Sequence, residues 1–277
     1  MKSYLFNKTV VITGGNGGLG FSLAKKLILR FNCKIIAIAR NEEKFLKCLD
    51  ELGDKKDNFT YKIFDVCSLS AWQDFYGFLI SKNITPDILI NNAGFMLEFM
   101  NFSRYSFEQI NSIVNTNFLS VVYATKTLLP LLKKSSFPTI INISSSAGLN
   151  AVVGQSMYSA TKFAVRGFTD SLRVENKDFY VCGVYPGFIK TDILSKHKIS
   201  EKELKLVNKF MMPLDKATNK IIRKIKAKRK NIILGIDGKY LSFGGRFCPI
   251  ASSKLTAKVL KSSKLEMFEN IFNIKGE

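Results

Sequence analysis

Tyr158 and Lys162 lie four residues apart in the run Tyr158-Ser159-Ala160-Thr161-Lys162, a spacing that sets a phenol and an ammonium one turn apart on one face of a helix. A free phenol titrates near ~10, too high for easy proton exchange at neutrality. A cation ~4 Å away at an effective dielectric of ~20 favours phenolate by up to ~4 kcal/mol, or about three pK units. Lys162 is therefore expected to pull the Tyr158 phenol down and make it usable as an acid or base. Just upstream, Ile141-Asn142-Ile143-Ser144-Ser145-Ser146-Ala147-Gly148 reads as a strand running out into serines, whose hydroxyls can hold a substrate oxygen. Tyr4 and Lys8 repeat the Tyr-x-x-x-Lys spacing, so the spacing alone decides nothing. What sets Tyr158 apart is Ser145, thirteen residues before it, at the end of a strand.

In these residues the chain resembles the short-chain dehydrogenase/reductase family, in which a strand-end Ser precedes the catalytic Tyr at this distance. The likeness continues through Lys162-Phe163-Ala164-Val165-Arg166-Gly167-Phe168 and covers about residues 6 to 195. The resemblance implies Tyr158 as proton donor, Lys162 as a second holder of the nicotinamide ribose, and Ser145 on the substrate oxygen. Ser144 and Ser146 are rivals, but family members carry Gly three positions after the catalytic Ser, which selects Ser145 with Gly148. Asn117, thirteen residues before Pro130, matches the helical Asn that family members use to anchor a proton-relay water, with Asn115 as its neighbour and competitor.

The amino end carries a nucleotide signal. The first apolar segment runs into Thr13-Gly14-Gly15-Asn16-Gly17-Gly18-Leu19-Gly20, which opens a helix. Glycines there let the backbone approach a pyrophosphate, whose charge the helix N-terminus attracts. Gly15, Gly17 and Gly20 fit the general dinucleotide fingerprint; Gly14, Gly18 and Gly20 fit the family's Thr-Gly-x-x-x-Gly-x-Gly, and the downstream motifs favour the second register. The second strand ends in Ala39 and Arg40 where an NAD-gripping chain places a carboxylate. Arg40 can instead pair with a 2′-phosphate, so NADPH is expected over NADH. By resemblance, Asp65-Val66 contacts adenine, Asn92, Ala93 and Gly94 of the Asn91-Asn92-Ala93-Gly94 signature approach the nicotinamide ribose, and Pro186, Gly187, Ile189 and Thr191 hold the carboxamide; Asn91 is expected to brace the sheet. Asn16 and Leu19 join the phosphate-side set.

Apolar strands alternate with longer helical stretches, the pattern of a doubly wound, Rossmann-type parallel sheet in one α/β domain. Strands are read near Phe6–Thr13, Cys33–Ala39, Thr60–Asp65, Ile88–Asn91, Thr139–Ser144, Tyr180–Tyr185 and Ile232–Gly235, with long helices over Ser106–Leu132 and Ser156–Asn176. In the family the corresponding helix pair forms a dimer interface, which implies a homo-oligomer. Residues 1–240 are read as the catalytic domain, with a substrate lid at about 193–212, and 241–277 as a basic tail in which Leu255, Val259 and Leu260 alternate with lysines as in an amphipathic helix. Phe95, Met96, Leu97, Leu149, Val152, Val153, Ile193, Leu194, Met211 and Met212 should line an apolar pocket.

Composition narrows the class. With 46% hydrophobic and 23% charged residues the chain has ordinary globular usage. No apolar run reaches the ~18 residues of a membrane span and no leader pattern opens it, so a cytoplasmic protein is expected. Five scattered cysteines without Cys-x-x-Cys read as reduced thiols, and a single histidine, His197, argues against a metal site or a serine–histidine triad. The net charge of +20 attracts anionic membrane or nucleic acid at long range without saying which; a solvated basic surface is the simpler reading. The expectation is an NADPH-dependent oxidoreductase that reduces a ketone or aldehyde on a largely apolar substrate, with Tyr158 as general acid/base. The alternative is a catalytically silent NADPH-holding sensor or scaffold docked on an anionic surface, against which the intact Ser145, Tyr158 and Lys162 argue.

Overall fold

A computed structural model describes residues 3–191 and 211–272, together with Glu203 and Val207. The strands are β1 (Thr9–Thr13), β2 (Lys34–Ala39), β3 (Phe59–Ile63), β4 (Ile88–Asn91), β5 (Thr139–Ile143), β6 (Tyr180–Pro186) and β7 (Asn231–Leu234). The helices are α1 (Gly18–Phe31), α2 (Glu42–Leu52), α3 (Leu69–Ser81), α4 (Phe107–Val114), α5 (Ser120–Leu132), α6 (Ser156–Glu175), α7 (Leu214–Lys226), α8 (Ile236–Phe247), α9 (Pro249–Ser263) and α10 (Glu269–Phe272).

The strands form one parallel sheet in the order β3-β2-β1-β4-β5-β6-β7. The chain winds outward from β1 through β2 to β3, then crosses back to lay β4 on the other side of β1. That reversal opens a crevice at the carboxyl ends of β1 and β4, where doubly wound sheets bind ligands. Strands covered on both faces must be apolar throughout, and β1, β4 and β5 are buried almost end to end. On one face Leu23 and Leu27 of α1, Phe45 of α2 and Ile221 and Ile225 of α7 pack on the sheet. On the other lie Trp72, Phe75 and Leu79 of α3, Leu128 and Leu132 of α5 and Leu172 of α6.

All seven expected strands form, with shifted ends. Asn7 adopts a left-handed φ of 56°, and the Asp87 carboxylate accepts the Thr9 N–H at 2.9 Å, so β1 starts at Thr9 rather than Phe6. The Asp65 carboxylate accepts the Cys67 N–H at 3.0 Å and turns the chain after β3. The stretch expected as one helix from Ser106 is opened by a reciprocal cap between Ser106 and Gln109 and contains a π-turn, Asn115–Leu119, between α4 and α5. The tail is helical as read, and α8 spans the 240/241 position. Leu260 packs inward, but Leu255 and Val259 face outward because α9 turns Ser252 toward the core, where the Asn150 amide donates to its hydroxyl at 2.8 Å. Among the described residues no helix is long and apolar enough to cross a membrane.

Buried polar side chains stitch the sheet to α5 and α6: Asn91 donates to Thr125 at 3.1 Å and to Asn142 at 2.8 Å, and Asn142 donates to Thr169 at 2.9 Å. Asn142→Ala should cost about 2–3 kcal/mol in urea unfolding, since it strands buried partners on both sides; a loss below ~0.5 kcal/mol would show the chain to be energetically idle.

Candidate active site

Helix α6 carries Tyr158 and Lys162 on its buried face, and the sheet side of that face meets the end of β5. Lys162 Nζ donates to the Ile143 carbonyl at 3.2 Å and lies 5.6 Å from the Tyr158 ring centre. Ser144 donates its hydroxyl to the Lys162 carbonyl at 2.8 Å and is thereby committed to structure. Ser145 accepts the Ala147 N–H at 3.2 Å and is hydrogen-bonded to the Tyr158 phenol. All three serines line the cavity described below, and of them Ser145 is the one bonded to the phenol. The competing Tyr4 and Lys8 lie elsewhere, Tyr4 donating to the Ile225 carbonyl at 2.7 Å and Lys8 pairing with Asp87 at 2.9 Å.

Asn117 sits fully buried in the π-turn, while Asn115 is exposed. Its side chain clamps the backbone of Phe95 from both sides, accepting the N–H at 2.9 Å and donating to the carbonyl at 2.9 Å. A third contact reaches Thr161 at 3.4 Å. With these bonds the amide holds the exit of β4 in place. A Cβ on Gly94 would come within 3.0 Å of Asn117 Oδ1 and 3.3 Å of Lys162 Nζ, so any side chain at this step would crowd both groups.

The glycine-rich turn resolves its own register. Gly14 and Gly18 hold φ of +64° and +49°, and a Cβ on Gly20 would overlap the Gly14 carbonyl, whereas Gly17 is extended and faces open space. Gly14, Gly18 and Gly20 are thus each demanded by backbone shape or space, and so is Gly15, whose Cβ would come within 2.8 Å of the Ala37 Cβ; of the two registers only the one that needs Gly17 contains an undemanded glycine. Asn92 donates to the Thr13 and Gly14 carbonyls at 2.9 and 3.2 Å, and the Thr13 hydroxyl accepts the Asn92 and Ala93 N–H groups at 2.9 and 3.0 Å. Asn16 reaches across to the Asn41 carbonyl at 3.1 Å.

These pieces wall one cavity of about 410 Å³. Gly14, Asn16, Gly18, Leu19, Asn92, Ala93, Gly94, Pro186, Gly187, Ile189 and Thr191 line one part, and Ser145, Tyr158 and Lys162 the other. Gly20 lies behind the turn. Arg40 and Asp65 lie outside the lining at the surface, paired with each other at 3.5 Å, and Val66 packs against the α3 cluster. Although burial raises it, the Cys67 hydrogen bonds and the Arg40 guanidinium hold the Asp65 carboxyl below its ordinary value. A deep cleft with a glycine-lined helix N-terminus at one end and a Tyr–Lys–Ser cluster at the other fits a dinucleotide laid along β1 and β4.

The expected apolar lining holds for Phe95, Met96 and Val152. Leu97, Leu149, Val153, Met211 and Met212 lie outside the lining, packed behind it or beside it; Ile193 and Leu194 of the lid, like His197, lie outside the described residues. Lys44, Phe99, Gln155, Phe188 and Leu241 line the cavity unforeseen. Lys44 follows the Asn41 cap of α2 and had a readable signal, a cation in the turn after β2. Leu241 had none, since only the three-dimensional packing of α8 brings it there.

Residues 8–202 match the model of the family described as short chain dehydrogenase. The chain belongs to that family. A 3-oxoacyl-[acyl-carrier-protein] reductase FabG of Rickettsia felis is 33% identical over 202 residues, covering 72% of this chain and 80% of that protein. An NADP-dependent 3-hydroxy acid dehydrogenase YdfG of Escherichia coli K12 is 33% identical over 166 residues, covering 60% of this chain and 65% of that protein. Among solved structures, a short chain dehydrogenase from Burkholderia cenocepacia J2315 in complex with NADP shares the fold with a TM-score of 0.75 at 21% identity, over 91% of this chain and 98% of that one. As a member of the short-chain dehydrogenases, the protein is an oxidoreductase of the NAD(P)-dependent type.

Burial, rather than the neighbouring cation, governs the titration of the pair. It raises the Tyr158 phenol, against a lowering hydrogen bond from Ser145, and it depresses the Lys162 ammonium to about 8. The expected downward pull of Lys162 on the phenol is thus outweighed by the phenol's own burial, which disfavours the phenolate. Since the folded chain holds the Lys162 proton less tightly than the unfolded one, the lysine favours folding at high pH, and this contribution is lost as pH falls from about 10.5 to about 8. Lys162→Met should therefore melt higher relative to wild type at pH 7 than at pH 10; a melting-temperature difference constant across that range would refute the depressed lysine.

Proposed function

We propose that the protein is an NADPH-dependent reductase of a ketone or aldehyde carried on a largely apolar body. The observation that supports this best is the meeting of Ser145, Tyr158 and Lys162 in a cavity that is also lined by the glycine-rich turn and by the apolar Phe95, Met96, Phe99 and Val152. Bound NADPH would supply hydride to the carbonyl carbon. Ser145 donates its hydroxyl hydrogen to the substrate oxygen and fixes its position, and Tyr158 delivers the proton that the oxygen takes up. Lys162 holds its place through the Ile143 carbonyl, keeps positive charge beside the phenol and offers the ribose hydroxyls a donor. Asn117 acts at one remove, setting Phe95 and through it the wall that faces the carbonyl.

Three features favour NADPH. β2 ends in Ala39 without a carboxylate to repel a 2′-phosphate, Arg40 is exposed beside it, and Lys44 adds a second cation at the cavity wall. Arg40 already has Asp65 as a partner, but an exposed pair at 3.5 Å is weak and yields readily to a phosphate. A 3-oxo acyl compound is the first candidate to try, a choice supported by the names of the relatives, a 3-oxoacyl-[acyl-carrier-protein] reductase and a 3-hydroxy acid dehydrogenase. A homo-oligomer formed through α5 and α6, as the family likeness implies, is part of the same proposal.

Tyr158→Phe should abolish NADPH oxidation with a small ketone while NADPH affinity stays near wild type, because only the proton donor is removed; fluorescence titration and turnover together check it, and substantial residual turnover would sink the assignment. Arg40→Ala should weaken NADPH binding by about 1.5–3 kcal/mol and leave NADH binding almost unchanged. Equal losses for both cofactors would remove Arg40 from the phosphate site.

A further inference from the structure

Beyond β7, helix α8 turns an apolar stripe to solvent. Ile236, Tyr240, Phe243 and Phe247 recur at i, i+4, i+7 and i+11, which places them on one face, and Ile236, Phe243 and Phe247 are 89%, 68% and 61% exposed. The opposite face buries Gly238, Leu241 and Gly244, so the helix already has a core face and the stripe is its other side. Phe243 and Phe247 lie together with ring centres 4.9 Å apart. The surface continues past the joint at Cys248 to Ile250, 71% exposed, which also borders an apolar groove of about 830 Å³ with Phe102 and Phe163. A contiguous apolar face of this kind on a chain of ordinary composition marks a docking site.

The charge around it selects the occupant. From Ile236 to Lys264 the chain carries Lys239, Arg246, Lys254, Lys258, Lys261 and Lys264 against one acid, Asp237, which is spent on accepting the Phe188 N–H at 2.7 Å. Lys239 and Arg246 flank the aromatic stripe of α8, and Lys254, Lys258 and Lys261 form the exposed cationic stripe of α9. Two copies meeting through this face would oppose like charges, whereas aromatic and aliphatic side chains edged with lysines match an anionic lipid surface. We propose that the α8–α9 hairpin is a bilayer-docking face, which lays Phe243, Phe247 and Ile250 into the headgroup boundary of anionic membranes while its lysines bind the lipid phosphates. The hairpin is rigidly joined to the catalytic core: a Cβ on Gly245 would overlap the Leu149 carbonyl just past Ser145, and Leu241 on the inner face of α8 lines the cavity. Docking would therefore set the cavity beside the lipid phase. The docking itself stands whether or not the reductase reading does.

The test uses the full chain with vesicles of phosphatidylcholine and phosphatidylglycerol. Wild type should co-sediment with them at low salt, release as salt rises, and bind pure phosphatidylcholine weakly. Phe243→Ser with Phe247→Ser, both exposed and so compatible with an unchanged melting curve, should weaken binding by about tenfold or more. Lys239→Glu with Arg246→Glu should weaken it comparably. A polarity-sensitive fluorophore on Cys248, the exposed cysteine at the joint, should shift to the blue on the same vesicles. Absence of co-sedimentation at low salt, or a serine variant that binds as wild type does, would overturn the proposal. So would an oligomer that the serine variant dissociates without any vesicle binding, which would assign the face to a second copy, or capture of duplex DNA in place of vesicles.

Discussion

The site depends on one clamp between β5 and α6. Lys162 reaches the Ile143 carbonyl at 3.2 Å with its side chain, and its own carbonyl accepts the Ser144 hydroxyl at 2.8 Å. Two bonds between the same two segments fix both the rotation and the height of α6 against the sheet, and Tyr158, one turn earlier, falls beside Ser145. The clamp is made by a buried cation, which is costly: the depressed Lys162 ammonium records the desolvation that the helix position imposes. A residue retained at such cost has a use beyond packing, since an apolar side chain would fill the space more cheaply.

The second constraint lies at the sheet's reversal. Thr13 and Asn92 bind one another across the ends of β1 and β4 through two hydrogen bonds, the Ala93 N–H adds a third to the Thr13 hydroxyl, and Asn92 adds a fourth to the Gly14 carbonyl. That lattice ties the glycine-rich turn to the Asn91-Asn92-Ala93-Gly94 segment, while Asn117 ties the same segment to the π-turn between α4 and α5. The cleft is thus held open by side-chain to backbone bonds.

Much of this was legible in the sequence, and the reasons are physical. Each strand of the parallel sheet is an unbroken apolar run, because both faces are covered, and those runs announced all seven strands. Their ends were less readable, since Asn7 and Asp65 set them through a left-handed turn and a carboxylate–backbone bond that no periodicity reports. Ser145, Tyr158 and Lys162 stood out because their spacing maps directly onto a strand end and one helical turn. The titration of the pair did not, since it depends on burial rather than on separation along the chain. Gln155 and Leu241 escaped notice for a related reason: each reaches the cavity from an element whose position the local pattern leaves free.

The tail shows the limit of pattern most clearly. Leu255, Val259 and Leu260 look like one apolar face in the sequence, yet α9 is rotated so that Ser252 and Asn150 meet instead. The rotation follows from α8, whose Gly244 accepts the Ser252 side chain where any larger residue would collide, and whose Gly245 lies against Leu149. Close backbone packing of this kind fixes a helix by shape and leaves its other side unspecified by the core. The apolar residues on that other side, Phe243 and Phe247 among them, are therefore not called for by the core, and at 68% and 61% exposure they carry a hydration cost that covering the face would relieve. Because the same helix presses Leu241 into the cavity, whatever covers its outer face also bears on the rim of the active site.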